Sequence, residues 1–173
     1  MIVFSIFFGG LAKMPSDGVP YPLFTFTALL PWQLFAFALN ESGNSLVNNQ
    51  RLISKIYFPR LVVPISAMMA GFMDFAIAFV VLLGMLIFYD YPLMINLWTL
   101  PLVILLAALT ALAAGLWLSA LNVIYRDVRY VIPFLIQLWL FVTPVAYPAS
   151  LAPVSLQPIY ALNPMVGVVE GFR

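Results

Sequence analysis

The stretch Asn48-Asn49-Gln50-Arg51-Leu52-Ile53-Ser54-Lys55-Ile56-Tyr57-Phe58-Pro59-Arg60 decides how the chain is laid out. It carries three basic residues, Arg51, Lys55 and Arg60, and no acid, and it lies between two long apolar runs. Arg51, Lys55 and Tyr57 alternate with Leu52, Ile53, Ile56 and Phe58, which gives a short helix one apolar face, and Pro59 ends it. The segment reads as a loop between two membrane spans that folds into a short amphipathic helix at the membrane surface. Two uses fit this pattern. One is a basic interfacial helix attracted to anionic lipid. The other is a helix that receives force or timing from a soluble partner.

The surrounding chain has the composition of a membrane protein. It is 65% hydrophobic and 8% charged, whereas soluble domains carry about 25% charged residues. Crossing a hydrocarbon core of about 30 Å takes about 20 apolar residues in a helix. Working outward from 48–60, segments 22–47 and 61–88 flank it, 97–123 and 131–147 follow, and 1–11 is a partial segment. The expected fold is an all-α, polytopic helical bundle in one transmembrane domain, residues 1–173. It has about five membrane segments and a re-entrant external helical element over 148–173. The short first segment, and the lack of a helix stop after Glu170-Gly171-Phe172-Arg173, lead to the expectation of a chain truncated at both ends.

Local signals refine the segments. Pro31 should kink the second, and the polar run Asn40–Ser45 at its end must face protein or water. Ala107, Ala108, Ala111, Ala113, Ala114 and Gly115 should let the fourth segment approach its neighbours closely. Pro133 falls in the expected first turn of the fifth, and Pro144 should bend its far end. Residues 148–164 hold four prolines and almost no charge, which suits short helices dipping into the membrane surface where protein or water covers them. Asn163-Pro164 should start the last short helix, on which Glu170 and Arg173 are spaced to pair.

Basic residues in short loops mark the cytoplasmic side. Loops 48–60 and 125–130 hold Arg51, Lys55, Arg60, Arg126 and Arg129, whereas 12–22, 89–96 and 148–163 hold only Lys13. The alternation of segments puts the two basic loops on one side.

The chain has no cysteine and no histidine, which removes disulfides, thiolate or imidazole metal sites, and Cys or His catalysis. A net charge of +1 gives no reason to expect a nucleic-acid partner. Asp74 lies near the middle of the third segment, where a carboxylate costs about 2.5–3.5 kcal/mol on insertion scales. It reads either as part of a proton or ion relay, or as a hydrogen-bonding group reaching a neighbouring helix such as the Asn40–Ser45 cluster. Phe134, Trp139, Phe141 and Tyr147 read as belt and core aromatics, or as a stacking surface for sugar rings. Arg126, Asp127 and Arg129 read as an interfacial anchor, or as a second contact with a soluble partner.

Seven motifs in order, Pro20–Phe24, Leu30–Trp32, Ile56–Arg60, Leu121–Arg129, Thr143–Pro148, Leu162–Met165 and Glu170–Arg173, together resemble the permease subunit of type-2 ATP-binding-cassette exporters. The branch they resemble most exports polysaccharide or polyol-phosphate chains (O-antigen, capsule, teichoic acid). The resemblance implies a multi-pass half-transporter of the bacterial inner (cytoplasmic) membrane. Two permease copies would pair with two ATPase subunits, with a lipid-linked glycan as substrate and membrane lipid around them. It implies that Arg51, Leu52, Lys55, Ile56, Tyr57, Phe58, Pro59 and Arg60 form the coupling helix docked on the ATPase. Asn163, Pro164, Glu170 and Arg173 would belong to the external gate, and Phe134, Trp139, Phe141 and Tyr147 would line the channel. No Walker motif occurs, so this chain is not itself an enzyme, and ATP and Mg would sit on the partner; no cofactor is expected here. Rival readings are a type-2 exporter of a drug or lipid, an ion-coupled carrier using Asp74, and a membrane-embedded transferase, which would need a base or metal site.

Overall fold

The computed structural model describes residues 19–55, 57, 59–90, 98–145, 160 and 162–172, and every regular element among them is a helix. Helix α1 (Tyr21–Asn48) begins after Pro20, with Pro22 in its first turn, where a missing N–H leaves no helical bond unmade. The backbone N–H groups of Leu23 and Phe24 donate to the Pro20 carbonyl. Its small polar side chains close onto their own helix. Thr25 donates to the Tyr21 carbonyl, Ser42 to Ala38 and Ser45 to Ser42. Hydroxyls satisfied in this way can lie in apolar surroundings. Pro31 is buried inside α1, which continues unbroken to Asn48.

One residue, Asn49, separates α1 from the short helix α2 (Gln50–Lys55). Its backbone N–H and its side-chain amide both donate to the Ser45 carbonyl, at 3.0 and 2.9 Å. Helix α3 (Val62–Phe88) ends at Tyr89, and Asp90 follows at φ 48°, a left-handed conformation that Asp tolerates better than most residues. Helix α4 (Leu100–Ile124) again has a proline, Pro101, in its first turn. Helices α5 (Val128–Val142) and α6 (Pro164–Phe172) complete the set.

Helix α1 is the centre of the bundle. The most apolar stretch of α1 is 61% buried, against 33% for α4 and 11% for α3. Phe35, Ala38 and Leu39 of α1 pack into a core shared with Ala107 and Ala111 of α4, Phe75 of α3, Ile132 of α5 and Val168 of α6. Gly71 of α3 meets Phe37 and Leu34, so α3 runs antiparallel to α1. Gly43 meets Ile132 while Phe35 meets Trp139, so α5 is antiparallel as well. Asn122 bonds to Gly43 and Asn44, which makes α4 parallel to α1. Both basic loops therefore lie at one end of the bundle.

Three helices, α1, α3 and α4, are long and apolar enough to cross a membrane. At 1.5 Å per residue α3 reaches about 40 Å. Its outer side presents Met69, Met73, Ile77, Val80, Ile87 and Phe88, an apolar surface larger than a soluble monomer exposes. The expected fifth segment needs correction at both ends. It is helical from Val128, not from 131, so Arg129 and Tyr130 belong to the helix, and Pro133 is inside it rather than in its first turn. The carbonyl that Pro133 leaves without an N–H partner is that of exposed Arg129, where water can reach it. The helix stops at Val142, and 15 residues reach about 22 Å, less than the hydrocarbon core. The partial segment 1–11, and nearly all of the re-entrant stretch 148–163, lie outside the described residues.

Candidate functional site

At the basic end, α2 is shorter than the expected 48–60 helix. It covers Gln50–Lys55 and buries no residue. Arg51, Leu52, Lys55, Pro59 and Arg60 are exposed, Tyr57 is fully exposed, and Ile56 and Phe58 lie outside the described residues. The chain turns into α3 through a bond from the Val62 N–H to the Pro59 carbonyl. In the second basic loop, Arg126 and Asp127 are exposed, and the Arg129 guanidinium donates to the Tyr130 hydroxyl and sits 4.7 Å from the centre of its ring. The hydrogen bond to Tyr130 raises the pKa of Arg129 above its ordinary value.

Behind this end lies a polar tie that sequence reasoning missed. Asn122 is fully buried, and its amide donates to the Gly43 carbonyl at 3.2 Å and to Asn44 Oδ1 at 3.1 Å. Asn44 in turn donates to the Asn40 carbonyl at 2.9 Å. Asn122 Oδ1 is buried with no hydrogen-bond partner among the described residues. Beside it, a methyl group placed on Gly115 would overlap Ser42 Oγ, and one placed on Gly43 would lie 2.8 Å from Ile132. Helices α1, α4 and α5 thus converge on Ser42–Asn44. The signal in the sequence was an amide near the end of an apolar span, since such a group needs a partner on another helix.

At the opposite end, Asn163 joins α5 to α6. Its Oδ1 accepts from the Trp139 indole N–H and from the Met165 backbone N–H, both at 3.1 Å, and its amide donates to Thr143 at 3.1 Å. Asn163 thereby caps α6, which opens on Pro164 as the sequence suggested. Trp139 meets Phe35 edge-on at 5.0 Å. Its ring therefore faces the bundle, while Phe134 and Phe141 are exposed on the other side of α5. The structure does not bring these three aromatics onto one surface. Glu170 is exposed on α6, and Tyr147 and Arg173 lie outside the described residues.

Asp74 does not reach the Asn40–Ser45 cluster. The antiparallel register of α3 sets it opposite the middle of α1, in a cleft with Gln33, whereas the cluster lies near the basic end and bonds to Asn122. Among the described residues no group of three metal-ligating side chains occurs.

The spans, the two basic loops at one end and the short helix between α1 and α3 define a polytopic helical membrane protein. The chain belongs to the ABC-2 type transporter family, which it matches over residues 1–173. It is similar to the O-antigen export system permease protein RfbA of Myxococcus xanthus, 30% identical over 155 residues, covering 88% of this chain and 60% of that protein. It is also similar to an O-antigen export system permease protein RfbA of Klebsiella pneumoniae, 29% identical over 154 residues with the same coverage. The chain spans 60% of the length of these relatives.

Proposed function

We propose that this chain is the membrane-spanning part of a permease subunit in an ATP-driven exporter of the bacterial inner membrane. It moves a lipid-linked polysaccharide or polyol-phosphate polymer outward. The observation that carries the reading is the segment 50–60, a short, basic helix and turn in which no described residue is buried, joined to the central helix by one hydrogen-bonded residue. The O-antigen export names of its relatives support the substrate class.

In this reading two permease copies pair with two ATPase subunits, which hold the ATP and Mg. The exposed side chains of Arg51, Leu52, Lys55 and Tyr57 dock on the ATPase, and Arg126, Asp127 and Arg129 make a second contact. Closure of the ATPase dimer displaces α2. Asn49 passes the motion to α1, and the Asn44–Asn122 tie passes it to α4. Phe134 and Phe141 face the polymer, Trp139 braces α5 against α1, and Asn163 holds the external element.

The test is co-purification of the full-length subunit with its candidate ATPases, comparing wild type with a Tyr57→Asp, Phe58→Asp variant. Retention of the ATPase by wild type and its loss in the variant is the expected result. Equal binding of the ATPase by both proteins would refute the coupling assignment.

A further inference from the structure

The cleft between α1 and α3 holds about 320 Å³ and is lined by Asp74, Gln33, three phenylalanines (Phe26, Phe37 and Phe75) and aliphatic side chains. Asp74 lies 12 residues after Val62 and 14 before Phe88, about 18 and 21 Å from the two ends of α3. Gln33 lies 12 residues into α1, also about 18 Å from its end. The two polar side chains are thus level with each other at mid-span, and both are exposed. Asp74 forms no hydrogen bond or ion pair with any described residue.

A carboxylate at this depth calls for a partner, and the described spans contain none. The basic residues of the sequence are Lys13, Arg51, Lys55, Arg60, Arg126, Arg129 and Arg173. None lies within α1, α3 or α4, and Arg129 is in the first turn of α5. A second copy of these helices brings no cation to mid-span either. A hard metal ion would need about six oxygen ligands, and the cleft supplies one carboxylate and one amide. A sugar would need several donors and acceptors, and only two polar groups are present. The chemistry of the cleft matches an organic cation. The carboxylate supplies the opposite charge, phenyl faces attract cations, and apolar walls weaken competition from water.

We infer that the Asp74 cleft is a binding site for one lipophilic organic cation, a quaternary ammonium or protonated amine bearing an aryl or alkyl group. Its volume lies at the lower end of the roughly 300–1,000 Å³ of small-molecule pockets, which suits a single compact ligand. The site is separate from the coupling segment, and its test does not depend on the export reading.

The experiment is equilibrium binding of radiolabelled benzyltriethylammonium to the full-length subunit in lipid nanodiscs, without ATPase or glycan. Wild type binds saturably above empty nanodiscs. Asp74→Asn, which keeps the shape and removes the charge, weakens binding roughly tenfold or more, and Phe26→Ala roughly threefold. Asp74→Glu keeps the charge and binds within a few-fold of wild type. Absence of saturable binding by wild type, or equal binding by Asp74→Asn, overturns the proposal. So does equal loss in Asp74→Asn and Asp74→Glu, which would mark a requirement for shape rather than charge.

Discussion

The Asn122 amide nitrogen stands 3.1 Å from Asn44 Oδ1, joining the ends of α4 and α1 next to the two basic loops. Interhelical hydrogen bonds within membranes contribute about 0.6 kcal/mol on average and up to about 1.7. A double-mutant cycle of Asn44→Ala and Asn122→Ala should give a coupling energy within that range in unfolding measurements on detergent-solubilised protein. A coupling of zero would mean that the tie carries no energy.

Gly115 packs directly on Ser42, and both are buried. An alanine there forces α4 away from α1, because the obstacle is a side chain fixed to its own helix by its bond to Ala38. Overpacking of this kind costs about 1–3 kcal/mol. Gly115→Ala should lower the melting temperature clearly, whereas Gly84→Ala, at a position with open space around it, should leave it unchanged or slightly raised.

Asn163→Ala removes the cap of α6 and the partners of Trp139 and Thr143 together. Loss of a cap alone costs about 1 kcal/mol, and α6 should then open locally. Met165 is fully buried, and the sequence contains no cysteine. Met165→Cys should therefore resist a thiol reagent in the wild-type background and react in the Asn163→Ala background. Equal protection in both would show that Asn163 does not hold α6 down.

The two sides of α5 should separate in mutants. Phe134→Ala with Phe141→Ala alters an exposed face and should change stability by about 0.5 kcal/mol or less while lowering polymer export. Trp139→Ala removes a ring packed on Phe35 and bonded to Asn163 and should destabilise by about 3 kcal/mol. Unfolding curves and a cell-surface glycan assay on the same variants distinguish the two effects.

The helical segments were legible because each is a run of apolar residues ended by polar or proline-containing stretches, a property local to the chain. Asn163-Pro164 also announced a helix start correctly, since cap and first turn are adjacent in sequence. What escaped was the register between helices. The position of Asp74 against Gln33 rather than Asn40–Ser45 depends on how far α3 slides along α1, and no local pattern encodes that distance. The inward face of Trp139 depends likewise on a contact with Asn163, far along the chain. The start of α5 at Val128 was obscured because charged residues in its first turn look like loop.

The contact between Gly115 and Ser42 also restricts the order in which a lineage can change. A larger residue at 115 meets both Oγ and Cβ of Ser42, so substitution there is least costly once position 42 has become glycine. That permissive step costs about 0.5 kcal/mol in helix propensity, the difference between serine and glycine, and the reverse order passes through the overpacked state. Homologues with alanine or serine at 115 should therefore carry glycine at 42, and ancestors with glycine at both positions should precede them.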